Sequence, residues 1–312
     1  MPQKKAKLKI NIKNKSYSFQ DSALYRISTK KRLAETLFSS LHDLKRLSTD
    51  NNYNCFVDTR TLKPREIEHP LYELDKVHTR IASLLCRIKQ PNYVHSGIKS
   101  RSHVTNAQEH IGRHKVLATD LQSFFQSTSK DMVFRFFHKI MGNPPDVAEI
   151  LARLCTCKNH IPTGSRISMP LALFANKPMF DSLNKVATCR GIKMTVFVDD
   201  ITFSGKNINS TFKHLIKNII ADHGHRLHQK KTKLYRHNEI KIITGVAVSE
   251  TGTLVSNKHH RLIHQDMVQW LAIKGTYNIE SLNKRLLGRI GSQSAIDSRF
   301  KDKARTLRAA LA

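Results

Sequence analysis

Three aspartates are the residues of this chain best suited to carry chemistry. Asp199 and Asp200 stand side by side in "TVFVDDITFSG" (195–205), a run otherwise apolar or small. Asp120 stands near the end of "KVLATDLQSFF" (115–125), 79 residues before Asp199. Both stretches read as β-structure, the later one as a hairpin with the acidic pair at its bend. Carboxylates are costly to desolvate unless a cation meets them. If the two strands pair, the carboxylates converge, and a divalent metal holds such a group best. Mg²⁺ is a hard ion that takes one or two carboxylates and completes its shell with waters and substrate phosphates. Two such ions about 3.5–4 Å apart stabilise the attacking and leaving oxygens of an in-line phosphoryl displacement. An Asp-Asp dipeptide alone is an ordinary turn pair. Asp120, the order of the segments and the charge of the chain shift the reading to a metal site.

That charge is the loudest feature of the composition. Lys and Arg number 53 against 24 Asp and Glu, for a formal net charge of +29 over 312 residues. Such a balance opposes compaction unless a polyanion offsets it, and nucleic acid is the expected partner. An anionic membrane surface fits less well, because no basic amphipathic helix dominates. With 39% hydrophobic and 25% charged residues the chain reads as globular. It has no apolar run long enough to span a membrane. The N-terminal "MPQKKAKLKINIKNKSYSF" has no signal-peptide core, so a cytoplasmic location is expected. The five cysteines are odd in number and "CTC" (155–157) lacks a second pair at zinc spacing, so free thiols are expected. The 17 histidines show no metal spacing.

The elements that must position the aspartates follow from hydrophobic period and punctuation. The first 20 residues hold six lysines and no acid and read as a basic arm, or as an edge strand followed by a loop. "KKRLAETLFSSLHDLKRL" (30–47) carries leucines at 33, 37, 41, 44 and 47, a helical period. "TLKPREIEHP" (61–70) reads as a charged turn region. A helix follows between Pro70 and Pro91, with Leu74, Val77, Ile81 and Leu85 on one face. Ser129 caps a helix bearing Val133, Phe136, Phe137 and Ile140, and "DVAEILARLCTC" is another. "IPTGSRISMP" (161–170) is a loop opening one long helix to about residue 189. "STFKHLIKNIIADHG" (210–224) is an amphipathic helix ending at Gly224. "IKIITGVAVSETGTLVS" is a strand or hairpin turning at Thr251-Gly252. Beyond residue 257 the pattern is helical, with Trp270 on an apolar face and read as core. The centre is α+β and is flanked by helical regions.

Read together, these segments resemble the motifs of reverse transcriptases in the family's order, over roughly residues 60–250. "FVDD" (197–200) is similar to the Y-x-D-D box, with Phe197 in place of Tyr. "VLATDLQSFFQST" resembles motif A, with Asp120 as its metal aspartate. "IPTGSRISMPLA" resembles the L-P-Q-G-x-x-x-S-P loop of motif B. It has Ile161 for Leu and Thr163 for Gln, and Met169 stands between the Ser and the Pro. "GHRLHQKKTKL" resembles motif D, and "RTLKPREIEHP" the fingers motif that meets the incoming triphosphate. "NAQEH" (106–110) and "ITG" (243–245) resemble the N-A-x-x-H and V-T-G boxes of bacterial retron reverse transcriptases.

The resemblance implies a right-hand polymerase with fingers, palm and thumb on an antiparallel palm sheet. Residues 1–104 would form the arm and helical fingers. Residues 105–250 would form the palm, with part of the fingers inserted at about 128–165, and 251–312 a basic helical thumb. It implies two Mg²⁺ ions, with Asp120 and Asp199 ligating both and Asp200 a weaker or outer ligand. It implies that Lys63 and Arg65 grip the β- and γ-phosphates. Phe125 would abut the sugar and exclude a 2′-OH, the other reading being a core phenylalanine. Thr163, Gly164 and Ser165 would border the template and dNTP, Gly164 letting backbone approach the nascent pair. Lys231 would protonate the pyrophosphate leaving group, with Lys230 an equal match one residue away. Asn106 and His110 would contact RNA or brace the palm, as would Thr244 and Gly245.

Retron kinship further implies a cognate structured noncoding RNA, priming from the 2′-OH of a guanosine and a branched RNA–DNA product (msDNA). It also implies an antiphage setting with an effector protein. The rivals are a protein-primed polymerase of abortive-infection type and a non-catalytic RNA-binding scaffold for an effector.

Overall fold

Serine and threonine caps mark where several of the helices begin. Thr29, Ser40 and Ser129 each accept a hydrogen bond from a backbone N–H in the first turn that follows, and Ser102 forms a full capping box with Thr105. The computed structural model describes residues 7–60, 64–273 and 279–310. The chain divides into two units. The first draws on the chain up to Asn92, on Asp120–Val186 and on Lys213–Gln229; the second on Tyr93–Thr119, Ala187–Phe212 and the chain from Lys230 onward.

The first unit is mainly helical. Its core includes Leu24, Leu33, Leu44, Leu74, Ile81, Phe136, Phe137, Phe174 and Phe180, each at most 1% exposed. The expected helix over 30–47 is two, Lys30–Leu37 and Leu41–Leu47. Phe38 ends the first in a left-handed conformation (φ 56°) and Ser40 caps the second. The charged turn region expected at 61–70 instead supplies a strand. β1 (Tyr53–Asp58) and β2 (Arg65–Pro70) form an antiparallel ladder from Tyr53↔Pro70 to Asp58↔Arg65. The long helix expected after the 161–170 loop is also two, Ser168–Ala175 and Lys177–Thr188. Pro178 cannot donate to the ladder and its ring clashes with the preceding turn, so the first helix stops at Asn176.

A four-stranded sheet of order β4-β5-β3-β6 belongs to the second unit, except for Asp120, the last residue of β3, which is counted with the first. Its strands are β3 (Lys115–Asp120), β4 (Lys193–Phe197), β5 (Asp200–Gly205) and β6 (Lys233–Tyr235). β4 and β5 form the expected hairpin, in antiparallel register from Lys193↔Ser204 to Phe197↔Asp200. β3 pairs antiparallel with β6, Leu117 opposite Leu234. A smaller antiparallel sheet follows, β7 (Lys241–Ile243), β8 (Val246–Val248) and β9 (Thr253–Leu254). It turns at Thr244-Gly245 as well as at Thr251-Gly252. With Ile243 opposite Val246 and φ of 46° and 83° at the two central residues, Thr244-Gly245 is a type I′ turn. The helices Asn257–Ile273, Glu280–Gln293 and Arg299–Ala309 pack around Trp270, Leu282, Leu286, Ile290 and Phe300. Trp270 is core as expected, and its Nε1–H donates to Asn283 Oδ1 at 2.9 Å. Among the described residues no helix is long and apolar enough to cross a membrane.

Candidate active site

Asp120 is the last residue of β3, Asp200 the first of β5, and β5 lies beside β3 in the sheet. Thr119 Oγ1 donates to the carbonyl of Ile201 at 3.0 Å, so the neighbours of the two aspartates touch. Asp199 sits in the two-residue turn between β4 and β5. The three aspartates therefore share one end of one sheet. Asp120 is 6% exposed; Asp199 and Asp200 are half-buried. The main chain around Asp120 is fixed by pairing with the segment after the helix Ser210–Asp222: its carbonyl accepts from His228 N at 2.8 Å, and Gln122 N donates to Arg226 O at 2.8 Å.

The turn carrying Asp199 is strained. Val198 has φ 61°, which a β-branched residue adopts only under constraint. Positive φ at the first of two central residues is the type II′ pattern, which favours glycine there. Such strain costs about 1–3 kcal/mol and persists where surrounding structure over-determines it. Here Val198 N donates to Ser96 Oγ at 3.1 Å, and the stretch 93–95 runs alongside β4, with Val196 N donating to Tyr93 O (2.7 Å) and His95 N to Val196 O (2.8 Å).

His110 braces the same hairpin from inside. It is fully buried, with Nδ1 2.7 Å from Ser204 Oγ and Nε2 2.7 Å from Thr195 Oγ1. Burial first, then the charges of Lys193, His114 and His95, bring its pKa down to about 3, so the ring is neutral. Asn106 is 1% exposed. Asn106 and His110 are both interior, and of the two roles expected for them, RNA contact or bracing of the palm, bracing fits their burial. Thr244 Oγ1 donates to His103 O at 2.8 Å, which ties the type I′ turn to the helix His103–Gln108, and Gly245 is exposed.

In the first unit, the 161–170 loop docks on β2. Thr163 N donates to Glu68 Oε2 at 3.1 Å and Thr163 Oγ1 to Glu66 O at 2.7 Å. A Cβ on Gly164 would stand 2.8 Å from the Glu68 carbonyl oxygen. The close approach that requires glycine is therefore to β2 in this structure. Ser165 Oγ lies 2.7 Å from Nδ1 of the buried His78, whose Nε2 is 2.6 Å from Leu154 O. A carbonyl only accepts, so Nε2 carries the proton and Ser165 donates to Nδ1. Burial lowers the His78 pKa to about 4. Arg166 pairs with Asp75.

Phe124 and Phe125 lie on the short helix Phe124–Ser127, beyond the end of β3, rather than on the strand itself. Phe124 is buried against Phe180 and His225, and Phe125 is half-buried. His225, brought to a pKa of about 4 by burial and then by His223, has Nε2 2.6 Å from Asn176 Oδ1. Asn176 Nδ2 in turn donates to Thr128 Oγ1 at 2.9 Å. Arg65 is exposed at the start of β2, Lys231 and Lys230 are exposed in the turn Gln229–Lys231, and Lys63 lies outside the described residues. His78, Glu68, Thr119, Ser96, Asn176 and His225 do not stand out in the sequence. Each acts through a partner that is distant along the chain, and no local spacing announces it.

The donor set suits a hard cation, being carboxylate oxygen alone. Among the described residues no three His, Cys, Asp or Glu side chains form a ready-made metal cage. A Mg²⁺ site that draws part of its shell from substrate phosphates and water needs none.

A sheet end bearing three carboxylates, in a chain of this positive charge, has the chemistry suited to nucleotidyl transfer. A family model described as "Reverse transcriptase (RNA-dependent DNA polymerase)" matches residues 49–274, well over half of the sequence, and the chain belongs to that family. The right-hand polymerase fold class expected from the sequence is that of this family. The Retron Ec86 reverse transcriptase of Escherichia coli is 28% identical over 167 residues, covering 53% of this chain and 52% of that protein. The Retron Se72 reverse transcriptase of Salmonella heidelberg is 26% identical over 229 residues, covering 69% and 60%. The match spans between about half and three fifths of the length of these relatives. They bear out the retron-type resemblance. A solved telomerase of Candida albicans, in complex with a TWJ fragment of telomeric RNA, is similar with a TM-score of 0.49 at 11% identity, over 82% of this chain and 56% of that one.

Proposed function

We propose that this chain is an RNA-directed DNA polymerase of retron type. It copies a cognate structured noncoding RNA into a short single-stranded DNA primed from a 2′-OH. The observation that supports the reading is that Asp120 ends β3, Asp199 lies in the β4–β5 turn and Asp200 begins β5, at one end of one sheet beside the Thr119–Ile201 hydrogen bond. Asp120, Asp199 and Asp200 would hold two Mg²⁺ ions, which when bound supply charge stabilisation to the attacking and leaving oxygens.

The chain's own residues do the rest. Val198 and Ser96 hold Asp199 at the tip of its turn. Phe125, behind which Phe124 packs, stands against the sugar and disfavours a 2′-OH. The loop of Thr163, Gly164 and Ser165, pinned by Glu68 and His78, borders the incoming dNTP and template. Arg65 and Lys63 meet the triphosphate, and Lys231 or Lys230 donates a proton to departing pyrophosphate. In this reading residues 1–104 serve as arm and fingers, 105–250 as palm and 251–312 as thumb. The product is branched RNA–DNA, made in an antiphage system with an effector protein.

The test uses protein purified with the nucleic acid it retains from its native locus. DNA joined to RNA, released by debranching enzyme and absent from an Asp199→Asn, Asp200→Asn variant, is the expected result. RNA alone, unchanged in the variant, favours the scaffold; DNA linked to a tyrosine favours the protein-primed rival.

A further inference from the structure

The far end of the β4–β5 hairpin carries a cationic cavity that the polymerase reading does not use. It encloses about 430 Å³ where the chain leaves the helix His103–Gln108 and where β4 begins and β5 ends. Arg113, His114, Lys193 and Lys206 line it, with Asn207 and Glu109. Glu109 is occupied: its Oε2 accepts from Lys193 Nζ at 2.8 Å. Arg113 and Lys206 are exposed and have no ion-pair partner among the described residues. His114 Nε2 is shielded from solvent and has no hydrogen-bond partner. The wall is kept open by backbone: a Cβ on Gly205 would press on the Gly191 carbonyl oxygen at 3.2 Å, while Gly191 (φ 62°) has open space beside it.

Two exposed cationic groups without carboxylate partners, beside a third that is paired with Glu109, call for an anion with several acceptor oxygens. Among the described residues no Phe, Tyr or Trp lines the cavity, so it lacks a broad apolar platform for a base. That favours a phosphodiester backbone over a free nucleotide, as does the charge of +29 on the whole chain. Four to five strand residues separate this end from the Asp199 turn, roughly 13–17 Å at the rise of an extended strand. A dNTP held by the aspartates does not span that distance, but a bound strand does.

We propose that this cavity is a phosphodiester-binding subsite that grips a nucleic-acid backbone away from the polymerising end of the sheet. It rests on the reading of the chain as a polymerase that works on RNA. The subsite retains the RNA without reading its sequence, and Arg113 and Lys206 supply most of its grip.

The test is an Arg113→Ala, Lys206→Ala variant of the full chain, with Lys206→Glu as a second variant at an exposed position. A fluorescent RNA hairpin with a single-stranded tail is titrated at several KCl concentrations. Removing one cation from a phosphate lowers the slope of log affinity against log salt by about 0.7–0.9. The double variant should therefore drop by about 1.4–1.8 in that slope, while its turnover on a short primer–template stays at the wild-type value. Lys206→Glu should lower affinity more than its share of the alanine pair. An unchanged slope, in variants whose wild-type parent binds RNA and incorporates dNTPs, overturns the subsite alone. A wild-type protein that does neither overturns the polymerase reading beneath it. Inorganic phosphate that perturbs the His114 resonances while the RNA slope stays unchanged marks a free-phosphate site and also overturns the proposal.

Discussion

The hydroxyl of Thr119 donates to the carbonyl of Ile201 at 3.0 Å, joining the residue before Asp120 to the residue after Asp200. Both are buried, at 3% and 0% exposure. A buried hydrogen bond of this kind contributes about 0.5–1.5 kcal/mol net, and the cost is greater when one partner is left unpaired. Its larger value here is positional, since a shift of strand β3 along β5 would part the aspartates. Thr119→Val keeps the shape and the β-branching and removes only the donor. It should lower stability by about 1 kcal/mol and reduce kcat for dNTP incorporation more than it raises KM. Thr119→Ser should recover most of the rate. A valine variant with wild-type kcat would show that the bond is structural only.

Val198 presents a different trade. Relief of its positive φ favours Val198→Gly by about 1–3 kcal/mol, against about 0.5–1 kcal/mol for the added freedom of the unfolded chain. The denaturation midpoint of Val198→Gly should therefore hold or rise, although valine-to-glycine changes usually destabilise strands. Val196→Gly, two residues back in the buried part of β4, should fall sharply. Activity should drop in Val198→Gly because Asp199 is less firmly aimed. A clear loss of stability in Val198→Gly would mean that the turn is not strained.

Much of this is legible in the sequence because it is local. The β4–β5 hairpin, the Ser129 cap and the amphipathic helix ending at Gly224 follow from period and punctuation over a dozen residues. Motif order brings Asp120 together with Asp199 and Asp200 where spacing alone could not. Three elements escape such a reading for identifiable reasons. β2 is hidden by its own charge, because "REIEHP" lies on a ladder whose outer side chains are mostly exposed. The break at Phe38 needs a left-handed phenylalanine, which propensity disfavours. The stop at Asn176 depends on Pro178, which the apolar run around it obscures. The inward supports, His78 under Ser165 and His110 under the hairpin, span 87 and 94 residues of chain. A single sequence does not reveal contacts at that range.

Gly164 gives a sharp steric prediction. Its φ is not in the left-handed region, so alanine carries no conformational penalty there, only contact. The added methyl would lie 2.8 Å from the Glu68 carbonyl oxygen and 2.9 Å from Ile67 Cγ2. Overpacking of this kind costs about 1–3 kcal/mol. Gly164→Ala should push the loop off β2, displace Thr163 and Ser165, and raise KM for dNTP. Adding Ile67→Ala removes the side-chain clash but not the backbone one, so the double variant should recover only in part. Full recovery would assign the clash to Ile67 alone.

The last prediction follows from three buried, neutral histidines. His78 and His225 have pKa values lowered to about 4 and His110 to about 3, each chiefly by burial. In the unfolded chain each returns to about 6.5. Between the folded and unfolded values the unfolded state binds more protons, so stability rises with pH across that window and levels off above about 6.5. Going from pH 7 to pH 5, each histidine should remove about 2 kcal/mol. The loss should continue toward pH 4 for His78 and His225 and toward pH 3 for His110. Urea denaturation at pH 7 and pH 5 measures it directly, and His110→Gln, which cannot charge, should lose about a third of the three-histidine effect. A wild-type midpoint that is flat over this range would show that the three rings take up protons in the fold as readily as in the unfolded chain, and their burial would then not be what keeps them neutral.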